Sequence, residues 1–151
     1  MEDFKKIMEL RATPDKIFDA LRNGIPLWWT ELFEGSSDQI HNTFTVRFGD
    51  SIFKTMQIKE IVPNIKLVWY ITDSLIGIPE LRNQTEWIDT TIVWELTPLR
   101  DSTRLQLTHK GLNSSVECYT ICCSGWHQFT DSLKSYVQSG KGYPYRVLVE
   151  E

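Results

Sequence analysis

The sequence predicts an α+β fold: a curved antiparallel sheet of about six to seven strands wrapped around one long C-terminal helix, with two short helices after the first strand. Three observations carry that expectation. From Ile40 onward, apolar and polar residues alternate with period two in runs punctuated by Gly, Pro and Asn turns. The cleanest run, Thr103-Arg-Leu-Gln-Leu-Thr-His-Lys-Gly111, stops at a glycine as a half-buried strand does. Beyond it Tyr119, Cys122, Trp126, Phe129, Leu133 and Val137 recur at the three-to-four spacing of an amphipathic helix. A sheet wrapped on a single helix leaves room for a pocket.

Residues 3–11 carry Phe4, Ile7 and Leu10 and read as the first strand. Thr13-Pro14-Asp15 starts a helix, with a hydroxyl cap, proline at the first helical position and an acid near the positive helix end. Ile17, Phe18 and Leu21 form its inner face, and Asn23-Gly24 ends it. A second short helix is expected from Pro26 to Glu34. Phe44, Val46 and Phe48 then share one strand face before the Gly49-Asp50 hairpin signal. The return strand, Ser51 to Val62, needs a bulge if Phe53 and Met56 are to share a face. Pro63-Asn64 turns into a strand at Leu67–Ile71, followed by a loop with Gly77 and Pro79. Glu86–Thr97 reads as a strand with Ile92, Trp94 and Leu96 inward, and Thr103–His109 as the last. Ser114-x-x-Glu117 forms a capping box for the final helix, which runs to about Ser139. The expected order is β-α-α-β-β-β-β-β-α, in one domain spanning 1–151.

Composition narrows the function classes. The chain has 151 residues, 41% of them hydrophobic and 24% charged, as in an ordinary globular domain with a real core. A formal charge of −4 and the lack of any basic run disfavour nucleic acid as a partner. No stretch is apolar enough for membrane insertion or a signal peptide. The three cysteines, Cys118, Cys122 and Cys123, sit together and fit reduced thiols, so a cytoplasmic location is expected.

The strand followed by Ala12-Thr-Pro-Asp-Lys-Ile-Phe-Asp-Ala-Leu21 and Trp28-Trp29 resembles a known family. So do Trp94-Glu-Leu-Thr-Pro98, the His109-x-Gly111 strand end and Gly125-Trp126 in the last helix. Together they are similar to the bacterial relatives of the C-terminal domain of the activator of heat-shock protein 90 ATPase, in the START-like (SRPBCC, helix-grip) superfamily. The resemblance covers nearly the whole chain. It implies a sheet gripping the C-terminal helix, with a deep hydrophobic cavity between them. It says little about chemistry, because relatives range from lipid carriers to cyclases, and fold does not fix function.

No phosphate loop, Cys-x-x-Cys pair or His-Glu-x-x-His motif is present. Cys123 and His127, or Cys118 and Cys122, are spaced to share an ion on a helix. A structural zinc needs four ligands and no second cluster accompanies them, so no metal is expected and small packed thiols are favoured. Nothing in the sequence is placed to activate a cysteine nucleophile. His109 shares the alternation of Leu105 and Leu107 and is expected to point inward, either as a general base or as a histidine satisfied by the backbone or the last helix. Glu86 and Asp89 straddle one expected strand. No catalytic residue and no cofactor is assigned.

The aromatic residues say more. A pocket lined by Trp28, Trp29, Phe33, Phe44, Val46, Trp69, Trp94, His109, Trp126 and Phe129 is expected to favour a flat or greasy ligand, with Trp28-Trp29 at the mouth. The leading reading is a carrier or sensor of an apolar or aromatic small molecule. A cyclase or hydrolase using His109 is a second reading. A module modulating a chaperone ATPase is a third, set back because the second domain of the eukaryotic relatives is not in this sequence.

Overall fold

The computed structural model describes residues 2–147. Strand β1 (Phe4–Leu10) leads into helices α1 (Pro14–Asn23) and α2 (Ile25–Trp28). Strands β2 (Phe33–Gly35), β3 (Thr43–Arg47), β4 (Ile52–Val62), β5 (Lys66–Ile76), β6 (Thr91–Pro98) and β7 (Thr103–Lys110) follow, and α3 (Tyr119–Ser139) closes the order. The strands form one open antiparallel sheet in the order β1-β7-β6-β5-β4-β3-β2, and α3 lies against its concave face. This is the helix-grip arrangement the patterning predicts.

Period-two burial builds the inner face. Thr103, Leu105, Leu107 and His109 of β7 and Ile92, Trp94 and Leu96 of β6 point onto α3, which presents Cys122, Trp126, Phe129, Leu133 and Val137. Burial of such apolar surface, at roughly 25 cal/mol per Å2, drives the grip. All six tryptophans join one connected set of ring contacts in this core. Trp28 stacks on Trp29 and meets Trp94 edge-on, Trp69 contacts Trp29 and Trp94, and Trp126 links these to Trp87. Gly111, at φ 99°, ends β7 where a Cβ would lie 2.8 Å from the Thr90 methyl group, so glycine is required there.

Three local readings change, and the orientation of Phe53 is resolved. The second helix is only Ile25–Trp28, because Tyr145 pairs with Thr30 and draws the chain straight into β2. Strand β5 runs on to Ile76: its pairing with β4 skips Thr72, so the buried set moves from Leu67, Trp69 and Ile71 to Ser74 and Ile76. That change of parity breaks the regular alternation after Ile71. Phe53 does not share a face with Met56; it alternates to the other side, beneath the Arg47 guanidinium, while Ile52, Lys54, Met56 and Ile58 keep one parity. Strand β6 begins at Thr91 rather than Glu86.

Helix starts also differ in detail. α1 begins at Pro14, yet the Thr13 hydroxyl makes no cap bond to the backbone and instead holds the Asp15 carboxyl below its ordinary pKa. α3 begins at Tyr119 with Cys118 at its N-cap, beyond the Ser114/Glu117 start the sequence suggests. Glu86, from the β5–β6 connection, accepts from the amides of Glu117 (3.0 Å) and Cys118 (3.1 Å). The Glu117 carboxylate accepts in return from the Asn83 amide at 2.8 Å, clasping the loop to the helix start.

Candidate functional site

A cavity of about 280 Å3 lies between the first half of α3 and the β4–β5 side of the sheet. Its walls are Ile52 and Lys54 of β4, Ile76 of β5, Ile78 and Trp87 of the following loop, and Phe48 after β3. Trp29 and Tyr145 close one side, and α3 contributes Ile121, Cys122, Gly125, Trp126, Gln128 and Phe129. Trp126 stacks near-parallel on Trp87 (centroids 5.8 Å, 16°) and lies 5.4 Å from Trp29; Phe48 and Phe129 meet at 5.4 Å. The rim is formed by exposed Ile121 and Gln128. A Cβ added at Gly125 would meet no atom within 4 Å, so the missing side chain is part of the space.

Of the ten residues read from sequence, the structure brings Trp29, Trp126 and Phe129 to this cavity. Trp28, Phe44, Val46, Trp69, Trp94 and His109 are buried elsewhere in the core, and half-buried Phe33 stacks on Phe44. Trp28 is not at a mouth: it is fully buried, and its indole N–H donates to the Ala20 carbonyl at 2.9 Å. The physical reason is that α1 and α2 seal that end of the sheet with Ile17, Phe18, Leu21 and Ile25, leaving the opening toward the start of α3.

His109 stands behind the cavity wall. The Trp126 N–H donates to its Nδ1 at 3.0 Å, so Nε2 carries the proton and donates to the Thr90 hydroxyl at 2.8 Å. Thr90 in turn donates to the Trp87 carbonyl at 2.6 Å, and the His109 ring meets Trp87 edge-on at 4.4 Å. Burial, reinforced by the charge of Lys54, pulls the pKa of His109 from 6.5 down to about 3. Both nitrogens are engaged and the ring is neutral, so this is the satisfied histidine bound to the last helix. It fixes the orientation of two cavity indoles.

Among the described residues, Lys54 is the one charged side chain lining the cavity, half-buried, with Nζ 4.5 Å from the Trp87 ring centroid and 4.7 Å from that of Phe48. Burial lowers its pKa from 10.5 to about 8, partly opposed by Cys122 and Cys118. The thiols are free. The hydrogen bond to Cys122 and burial raise the Cys118 thiol, whereas Cys118, the Trp87 N–H (3.1 Å) and Lys54 lower that of Cys122. The sequence showed no group to activate a cysteine; the fold supplies these from Trp87 and β4. Among the described residues, no group of three or more His, Cys, Asp or Glu side chains could hold a metal.

Of the lining residues, the site read from sequence omits Lys54, Ile52, Ile76, Ile78 and Tyr145, along with Phe48, Trp87 and, on α3, Ile121, Cys122, Gly125 and Gln128. Lys54 had a legible signal, a charge at an inward position in the alternation Ile52–Lys54–Met56–Ile58. Ile76 was hidden by the bulge, and Tyr145 lies beyond any periodic element.

The sheet order and the long helix seated on it define a helix-grip domain with a cavity beside that helix. The chain belongs to the family described as Activator of Hsp90 ATPase homolog 1-like protein, whose sequence model matches residues 11–138. It is similar to the solution structure of the Aha1 dimer from Colwellia psychrerythraea, at 25% identity and a TM-score of 0.74, covering 94% of this chain and 100% of that one. Mll3558 from Rhizobium loti is 24% identical with a TM-score of 0.69, covering 87% and 94% of the two chains. SSP2350 from Staphylococcus saprophyticus, at 16% and 0.70 with coverage of 93% and 95%, shares the fold. Among curated proteins, none matches the chain in sequence. No helix among the described residues is long and apolar enough to cross a membrane.

Proposed function

We propose that this protein binds a small apolar or aromatic molecule in the cavity beside α3, as a carrier or sensor. The carrying observation is a space of about 280 Å3 walled by six aromatic side chains, near the lower end of the ~300–1,000 Å3 of small-molecule sites. Supporting it, Gly125 leaves part of the space open on the helix side. The alternative of catalysis through His109 loses its base, since both ring nitrogens are committed and the ring resists protonation. The test is a panel of medium-chain alcohols and acids, flavonoids and polycyclic compounds, read by tryptophan quenching and thermal shift. Ligand binding to the folded state alone raises the melting temperature. A panel giving neither response would move the function to the surface.

The likeness to the Colwellia Aha1 structure favours one second reading, a module that modulates a chaperone ATPase. Chaperone-dependent ATP hydrolysis that changes on addition of this protein would support it; an unchanged rate across a titration would remove it.

A further inference from the structure

Among the described residues, the cation in the cavity wall pairs with no carboxylate; the acidic groups acting on it are thiols. Lys54 enters the cavity from β4 at a position where the alternation calls for an apolar residue, and such local violations concentrate at functional sites. Its ammonium makes no ion pair and no hydrogen bond among the described residues; its neighbours are the faces of Phe48 and Trp87. Two ring faces hold a cation through their quadrupoles but do not neutralise it. The titratable groups acting on it are Cys122 of α3, Cys118 at the N-cap of α3 and neutral His109 from β7, and no carboxylate is among them.

The sign of that charge selects the ligand. A neutral apolar body entering the cavity strips water from the ammonium and gives nothing back. A cationic ligand adds repulsion in a low-dielectric space. An anion restores neutrality at the place where the desolvation falls, and a charge-assisted hydrogen bond to a carboxylate is among the strong ones. The rest of the wall is rings and aliphatic chains, with Gln128 at the rim, so the remainder of the ligand is apolar.

We propose that the cavity takes a small amphipathic carboxylate, its apolar or aromatic body against Trp29, Trp126 and Phe129 and its carboxylate on the Lys54 ammonium. The proposal rests on the reading of the cavity as a ligand site and deepens it by fixing the ligand's charge. At pH 7 Lys54 is protonated, since its pKa lies near 8. Carboxylate affinity therefore falls as pH rises beyond that value, whereas binding of an uncharged analogue does not.

The experiment compares octanoate, octan-1-ol and octylamine by calorimetry and tryptophan quenching at pH 7, on the wild type, Lys54→Met and Lys54→Arg. The expected order in the wild type is octanoate, octanol, octylamine, with octanoate ahead of octanol by about tenfold or more. Lys54→Met abolishes that preference while octanol still binds, and Lys54→Arg retains it. Octanol equal to or tighter than octanoate in the wild type, or a carboxylate preference that survives in Lys54→Met, overturns the proposal and leaves the cavity reading standing. Failure of all three probes to bind overturns both. If Lys54→Met does not fold, the wild-type order and its pH dependence decide alone.

Discussion

The indole N–H of Trp126 is bonded to Nδ1 of His109 at 3.0 Å, tying the middle of α3 to the end of β7 inside the core. Trp126→Phe keeps a ring and deletes the donor, leaving a buried acceptor unpaired at a cost of about 1–3 kcal/mol. Trp126→Ala removes the packing as well and costs about 3–5 kcal/mol. Urea denaturation measures both, and a Phe variant with an unchanged midpoint would show that the bond contributes nothing.

The same histidine sets an acid limit on stability. Its folded pKa, about 3, lies below the 6.5 of the unfolded chain, so between these values the unfolded state binds the extra proton. Stability is then full above about pH 6.5 and falls as pH drops, by about 1.4 kcal/mol per pH unit from this group. In His109→Gln the slope of stability against pH between 6.5 and 4 should flatten, whatever the variant's overall stability. An equal slope in both proteins would assign the acid limb to the carboxylates.

Lys54 carries the same sign at higher pH. Its folded pKa near 8 lies below the ordinary 10.5, so the charged form is disfavoured in the fold throughout the range below 8. Lys54→Met should therefore be more stable than the wild type at pH 7, by about 1–3 kcal/mol after allowing for the ring contacts. The advantage should shrink as pH rises from 8 to 10.5, where the folded wild-type side chain has lost its proton and the unfolded one still holds it. A less stable Met variant at pH 7 would mean that the two rings more than offset the desolvation.

Gly125 offers a test by filling. Gly125→Ala should stabilise by about 0.5–1 kcal/mol, because glycine inside a helix is costly and the added Cβ meets nothing. Gly125→Leu should fold and bind octanol more weakly, since its side chain enters the cavity. Undiminished octanol binding in the Leu variant would place the ligand elsewhere.

Glu86→Gln should cost about 1–2 kcal/mol. It removes the charge from a side chain that accepts from the amides of Glu117 and Cys118, just before α3 and 31 and 32 residues away in sequence, where a negative group complements the positive helix end. Thermal unfolding at low and high salt checks it: the difference should narrow as salt screens the charge.

The architecture was legible because sheet and helix have different hydrophobic periods, and β7 and α3 display theirs without interruption. What was hidden depends on departures from period. The extra residue Thr72 reverses parity within β5, and the sequence beyond Ile71 then mimics a loop. Glu86 read as strand because its tertiary partner, the start of α3, has no local signature. At the site, large aromatics announced a pocket without its position, since an indole filling core and one lining a cavity look alike in sequence. The buried ends of α1 and α2 decided which tryptophans became core. Lys54 was visible as a misplaced charge, though its meaning required the rings of Phe48 and Trp87 around it.

The connected tryptophans give the protein an optical property. Neighbouring indole centroids in the set lie 5.4 to 6.1 Å apart, close enough for excitation to hop from ring to ring before it is emitted. Light absorbed by Trp28, deep behind α1, thus reaches Trp126 and Trp87 at the cavity wall. A guest that quenches Trp126 or Trp87 should therefore also dim the indoles connected to them, beyond the rings it touches. The chain is its own occupancy gauge, and no dye need be attached to read it.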